Sequence, residues 1–158
     1  MKRYIAFWIF CFAVFGFTVV RAQSKPTPNE YPMMKLIEFT DFAHAARDLT
    51  GKNILILYLP DCDHCQREGA AIAQHAAAFK NYQVWFISTA THENNWKFAQ
   101  TYKLAANKNF HFVRTEAEDI FHSLGSIPTP SVYIFNEAKK LVRSFKGETK
   151  IEEILKAL

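Results

Sequence analysis

The stretch 57-LYLPDCDHCQRE-68 sets Cys62 and Cys65 two residues apart, directly after an apolar run that ends at Pro60. Upstream, 53-NILILYL-59 is a continuous apolar segment of strand length, the pattern of a strand buried on both faces. Downstream, Cys65, Gly69, Ile72, Ala76 and Phe79 recur at spacings of four and three. They form one apolar stripe of a helix predicted from Cys62 to about Lys80, with Asp63, Arg67, Gln74 and His75 off the stripe. The pair therefore falls at a strand-to-helix junction, Cys62 exposed in the first turn and Cys65 on the shielded edge. Asp61 has the side chain of a helix N-cap.

Outward from this junction, β-rich runs alternate with helical ones. The runs 82-YQVWFIS-88 and 110-FHFV-113 read as strands, and 131-SVYIF-135 with 140-KLVRSF-145 as a hairpin joined by 136-NEAK-139. Helices are predicted at 41-DFAHAARDL-49, 93-ENNWKFAQTYKL-104, 116-EAEDIFHSL-124 and 150-KIEEILKAL-158. This order describes an α/β sandwich, a central mixed β-sheet flanked by helices, over residues 35–158. The 158 residues suffice for one domain with a proper core, and 49% apolar with 22% charged residues is a globular composition.

The N-terminus reads differently. Lys2 and Arg3 precede 17 uncharged residues, Tyr4 to Val20, followed by 20-VRAQS-24. A basic start, an apolar run and small residues at Val20 and Ala22 make an export signal cut after Ala22, so the chain is expected to be periplasmic or secreted. The alternative is an uncleaved membrane anchor over residues 4–20, which still exports the rest. Residues 23–34, with two prolines in 23-QSKPTPNEY-31, read as a tether. The formal charge of +4 depends on the signal: without residues 1–22, 16 basic residues face 15 acidic ones. Such a balance excludes a nucleic-acid partner, which needs a concentrated basic surface.

Three chemistries are open to a CxxC pair. Structural zinc wants four ligands, and the exported part has no third cysteine and no closely spaced histidine pair to complete a site. A structural disulfide over two intervening residues closes a very small loop and restricts little of the unfolded chain. Redox exchange has a mechanism. At a helix N-terminus unpaired N–H groups and the helix dipole favour a thiolate at Cys62, which attacks a disulfide. Cys65 then resolves the mixed disulfide. Protonated His64 would favour the thiolate, whereas Asp61 and Asp63 oppose it, which points to a reductase or mild exchanger rather than a strong oxidant.

The strand, CDHC at a helix start, and the later 126-SIPTPSVYIF-135 resemble the thioredoxin-like superfamily over roughly Lys35 to Leu158. With the export signal, 110-FHFVRTEAEDIFHSLGSIPTP-130 looks most like its exported TlpA/ResA-type thiol–disulfide proteins. The resemblance implies a cis bond at Thr129–Pro130, beside the cysteines, where backbone groups meet the substrate chain. It also implies an extra strand-and-helix unit before that proline, and Lys146-Gly147-Glu148 echoes the family's residues after the last strand. Two departures stand out. Asp61 replaces the usual tryptophan, and Ile56 stands where cytoplasmic thioredoxins carry a buried acid that deprotonates the resolving cysteine.

The expected function is thus exported thiol–disulfide exchange, with Cys62 as nucleophile, Cys65 as resolver, Asp63 and His64 modulating them, and Thr129 and Pro130 contacting substrate. Expected partners are protein thiols and disulfides and an electron donor, with the domain a monomer and no cofactor or metal required. Two alternatives share these residues: a copper carrier using Cys62, Cys65 and His64, since thiolates suit Cu(I), and a disulfide isomerase.

Overall fold

A strand that is apolar at every position needs cover on both faces, and the arrangement of the chain supplies it. The computed structural model describes residues 31–38 and 43–158. Seven strands among them form one sheet: β1 (Lys35–Glu38), β2 (Ala43–Ala45), β3 (Asn53–Leu57), β4 (Gln83–Ser88), β5 (Phe110–Arg114), β6 (Ser131–Phe135) and β7 (Leu141–Lys146). Their order across the sheet is β2-β1-β5-β4-β3-β6-β7. β3, β4 and β5 run parallel, while β6, β7, β1 and β2 add antiparallel pairs at the two sides. Four α-helices connect them: α1 (Asp63–Gln74), α2 (His92–Thr101), α3 (Ala117–Leu124) and α4 (Ile151–Leu155).

Successive residues of a strand point to opposite faces, so each apolar run feeds two cores. Ile54, Ile56, Val84, Phe86, Phe110, Phe112, Val132 and Ile134 pack with Ile72 of α1, Phe98 of α2 and Ile154 of α4. Leu55, Leu57, Trp85, Ile87, Val113, Tyr133 and Phe135 point the other way, onto Leu36 and Leu49, with Ile120 and Leu124 of α3 against them. The sheet is therefore the middle layer of a three-layer sandwich. Asn53, at the start of β3, is buried but satisfied. Its amide donates to the Thr50 and Gly51 carbonyls and its oxygen accepts the Trp85 indole N–H at 2.8 Å.

The structure departs from the sequence expectations in four places. The helix expected over 41–49 is absent from residues 43–49, where β2 pairs with β1 and one 3₁₀ turn follows at Ala46–Asp48. An alanine-rich segment has helical propensity, but strand pairing at the sheet edge satisfies its backbone instead. The helix expected from Cys62 to Lys80 ends at Gln74; His75 leaves helical geometry and a 3₁₀ turn carries Ala76–Phe79. β1 was not expected at all. The packed chain also begins before the expected boundary at Lys35, since Tyr31 and Met34 are buried and Tyr31 stacks on Phe135. The signal expected at residues 1–22, and the tether up to residue 30, lie outside the described residues.

Gly69 marks a close contact between α1 and Phe98 of α2. A Cβ built there would stand 2.8 Å from the tip of the Phe98 ring, which is itself enclosed by Tyr58 and Tyr102. Gly69→Val should therefore destabilise the fold by about 1–3 kcal/mol, the usual cost of overpacking, measured as a lower urea midpoint. Unchanged stability would show that α2 yields freely.

Candidate redox site at the strand-to-helix junction

The site is assembled at one end of the central strands by the pairing of β3 and β6. Leu57, the last residue of β3, lies opposite Ser131, the first of β6. The strands are antiparallel, so the chain leaving β3 toward Cys62 passes the chain entering β6 from Thr129 and Pro130. The Thr129–Pro130 peptide bond is cis. The thiol of Cys62 lies 3.9 Å from the Thr129 carbonyl oxygen, and the Ser131 hydroxyl donates to the Pro128 carbonyl at 2.6 Å. Two segments 67 residues apart in sequence thus meet at one sulfur.

Cys62, not Asp61, caps α1. Its backbone is extended (φ −88°, ψ 116°) and its sulfur accepts the Cys65 N–H at 3.4 Å. The cap position favours an acceptor in contact with the helix's unpaired N–H groups, and here the acceptor is the sulfur itself. The turn is held by the Cys62 N–H on the Leu59 carbonyl (3.2 Å) and by the Gln66 side chain on the Pro60 carbonyl (2.9 Å). Asp61 and Asp63 are exposed beside it.

The two cysteines, both free thiols, differ in environment. Cys62 is half-buried, whereas Cys65 is 2% exposed in the core beneath α1. Burial, and next the adjacent Cys62, push the Cys65 thiol up to about 12. Tyr58 lies behind it; its hydroxyl donates to Asn95 Oδ1 at 2.7 Å, tying the end of β3 to α2.

Glu68, which the sequence reading did not single out, is 3% exposed. One carboxylate oxygen accepts the Thr149 N–H at 2.9 Å, while Oε1 is buried without a partner. Burial raises its carboxyl from the ordinary 4.5 to about 7, with nearby Glu148 adding to the rise and the Thr149 hydrogen bond opposing it. Glu68 stands three residues after Cys65, on the same side of α1. The signal was present in the sequence: a carboxylate set between Cys65 and Ile72 interrupts the apolar stripe.

A second cluster lies on the exposed side. Arg67 holds Glu148 with two charge-assisted hydrogen bonds, both 2.7 Å, and His64 Nδ1 is 2.5 Å from Glu148 Oε2. These contacts, Arg67 first, hold the Glu148 carboxyl down at about 2. His64 faces Arg67 and Glu148 rather than standing alone beside the cysteines. On the other side of the Thr129 loop, an apolar cleft of about 260 Å³ is lined by Tyr58, Ile87, Ile120, Phe121, Ile127 and Thr129, among others. Among the described residues no group of three or more His, Cys, Asp or Glu side chains is placed to hold a metal ion.

Residues 29–144 match the AhpC/TSA family, and the chain belongs to it. No curated protein matches the chain in sequence. Among solved structures it is similar to a secreted Mycobacterium tuberculosis disulfide oxidoreductase described as homologous to E. coli DsbE. The TM-score is 0.66 at 15% identity, over 79% of this chain and 93% of that one. A thio-disulfide isomerase from Thermus thermophilus gives 0.66 at 16%, over 84% and 94%. StoA from Bacillus subtilis gives 0.56 at 14%, over 78% and 93%. The shared architecture is the thioredoxin-like fold.

Two outcomes follow from the environments of Cys65 and Glu68. Alkylation of the reduced protein should label Cys62 well before Cys65, read by peptide mass mapping; equal rates would contradict the burial of Cys65. Glu68 keeps its proton to about pH 7 in the folded chain but releases it near 4.5 when unfolded. The folded state therefore binds more protons between those values, and its stability falls as pH rises through 7. Glu68→Gln should abolish that fall, so that the variant gains roughly 3 kcal/mol at most over the native chain between pH 4.5 and 8 in urea titrations. Parallel pH profiles would refute the buried protonated carboxyl.

Proposed function

We propose that this AhpC/TSA-family chain is an exported thiol–disulfide oxidoreductase that exchanges disulfides with protein substrates through Cys62 and Cys65, poised as a reductase or mild exchanger. The observation that carries this reading is the asymmetry of the pair. An accessible sulfur caps a helix and accepts its N–H, while the second sulfur is buried and strongly held as a thiol. Fold likeness alone would not license it.

The cycle follows from these environments. The Cys62 thiolate attacks one sulfur of a substrate disulfide, forming a mixed disulfide and expelling the other substrate sulfur as a thiolate. Cys65 then gives up its proton and attacks the Cys62 sulfur. This closes the Cys62–Cys65 disulfide and releases the second substrate thiol. The substrate has gained two electrons, which a separate dithiol donor returns to the pair. Glu68, buried on the same helix with one unpartnered oxygen, is the proton acceptor for Cys65 in place of the acid missing at Ile56. Thr129, its carbonyl near the Cys62 sulfur, offers its backbone to the substrate strand beside Pro130. His64 and Asp63 modulate Cys62 from the first turn.

Export rests on the basic, apolar and small-residue pattern of residues 1–22. A mild poise rests on Asp61, Asp63 and Glu148 around the first turn, which offset the cations there. Cys65→Ser should trap mixed disulfides with client proteins on non-reducing gels, while Cys62→Ser should not. Trapping through the Cys62 variant instead would invert the roles. Stoichiometric copper on the reduced protein, without exchange, would favour a carrier.

A further inference from the structure

Three consecutive residues after β7 reach the proline loop, the exposed charged cluster and the buried carboxyl. The Gly147 N–H donates to the Pro130 carbonyl at 2.8 Å, Glu148 takes His64 and Arg67, and the Thr149 N–H donates to buried Glu68 at 2.9 Å. Gly147 sits at φ +83°, in the left-handed region open to glycine, which lets one short turn reach in these three directions.

The middle residue is the one with charge. Arg67 lies within electrostatic reach of Cys62 and Asp63, and Glu148 neutralises it through a bidentate contact. His64 Nδ1 stands 2.5 Å from Glu148 Oε2 and 2.8 Å from an Arg67 guanidinium nitrogen. With a proton on Nδ1 the ring donates to the carboxylate; without one, Nδ1 accepts from Arg67. Asp63 and the buried Glu68 are further titratable groups that act on this cluster.

We propose that Glu148 is a positioning residue for the redox pair: by clamping Arg67 and His64 at the first turn of α1, it sets how strongly that turn stabilises the Cys62 thiolate over the disulfide. The inference rests on the exchange reading above. Reduction of the Cys62–Cys65 disulfide takes up two electrons. The attacking form of the reduced pair carries a negative charge on the Cys62 sulfur, whereas the disulfide carries none. Positive charge at the turn therefore favours the reduced pair, and Glu148 limits that effect. Removing its carboxylate deletes a negative charge while the Arg67 guanidinium stays positive, which fixes the sign.

The test uses the full-length protein and three variants at exposed or part-exposed positions, Glu148→Gln, Arg67→Gln and the double variant. Two quantities are read: the rate of iodoacetamide labelling at Cys62 and the equilibrium constant with glutathione. Glu148→Gln should label about threefold faster and shift the equilibrium about threefold toward the dithiol, as expected for one partly screened charge. Arg67→Gln should shift both the opposite way, the double variant should lie near the native chain, and high salt should shrink all differences. Each single variant breaks the same ion pair. A merely structural tie would therefore move both variants in the same direction, and that result, or no shift in either, would overturn the proposal. A native chain that fails to exchange with glutathione at all would instead remove the redox reading on which the proposal rests. Exchange by the native chain with unmoved variants removes the proposal alone.

Discussion

The antiparallel pairing of β3 with β6 is the constraint on which the site depends. It sets Leu57 opposite Ser131, and so brings the end of one strand and the beginning of the other to the same end of the sheet. Cys62 leaves from one and Thr129-Pro130 arrives at the other. A register slip of one residue would turn the alternating side chains of β6 to the wrong faces and separate the loop from the sulfur. That slip is opposed by both cores at once, because Val132 and Ile134 fill one layer while Tyr133 and Phe135 fill the other. The chemistry is held in place by apolar packing several residues away.

Around that junction, three acids a few residues apart in space are held in different proton states. Burial keeps Cys65 a thiol up to about 12 and holds Glu68 protonated to about 7, while Arg67 and His64 keep Glu148 ionised down to about 2. The contrast follows from position on one helix. Cys65 and Glu68 face the sheet, where the loss of water outweighs the hydrogen bonds that favour the ionised form; Arg67 faces out, where it meets a carboxylate and solvent. For the exchange proposed above, a buried thiol that stays protonated at rest, with a carboxyl of near-neutral affinity on the same helix face, suits a step in which one proton must leave at one moment.

The Gly147–Thr149 turn links these elements. Its contacts reach the proline loop, the exposed cluster and the buried carboxyl. α3 and the loop after it serve the other flank, where Ile120, Phe121 and Ile127 line an apolar cleft ending at Thr129.

The sequence by itself determined what is local. A run of six apolar residues after Asn53, a CxxC pair and a stripe at spacings of four and three are short-range patterns. They placed β3, the start of α1, and the exposed and shielded sulfurs correctly; β4, β5, the β6–β7 hairpin and the other three helices were equally legible. β1 and β2 were not, because strands of four and three residues with few apolar positions exist only through pairing with distant partners. The cap was misplaced by one residue, since Asp61 and Cys62 are both acceptors and only the backbone path decides which sulfur or oxygen meets the N–H. Glu68 carried a readable signal as a carboxylate within an apolar stripe. Glu148 showed only as part of the Gly-Glu echo, with its partners hidden: it lies 81 residues beyond Arg67, and the hydrogen bonds that join them arise only when β7 closes the sheet beside β6. Composition and periodicity fix which face a side chain takes. Which charges meet at that end of the sheet is set by strand order and register, and these are properties of the folded chain alone.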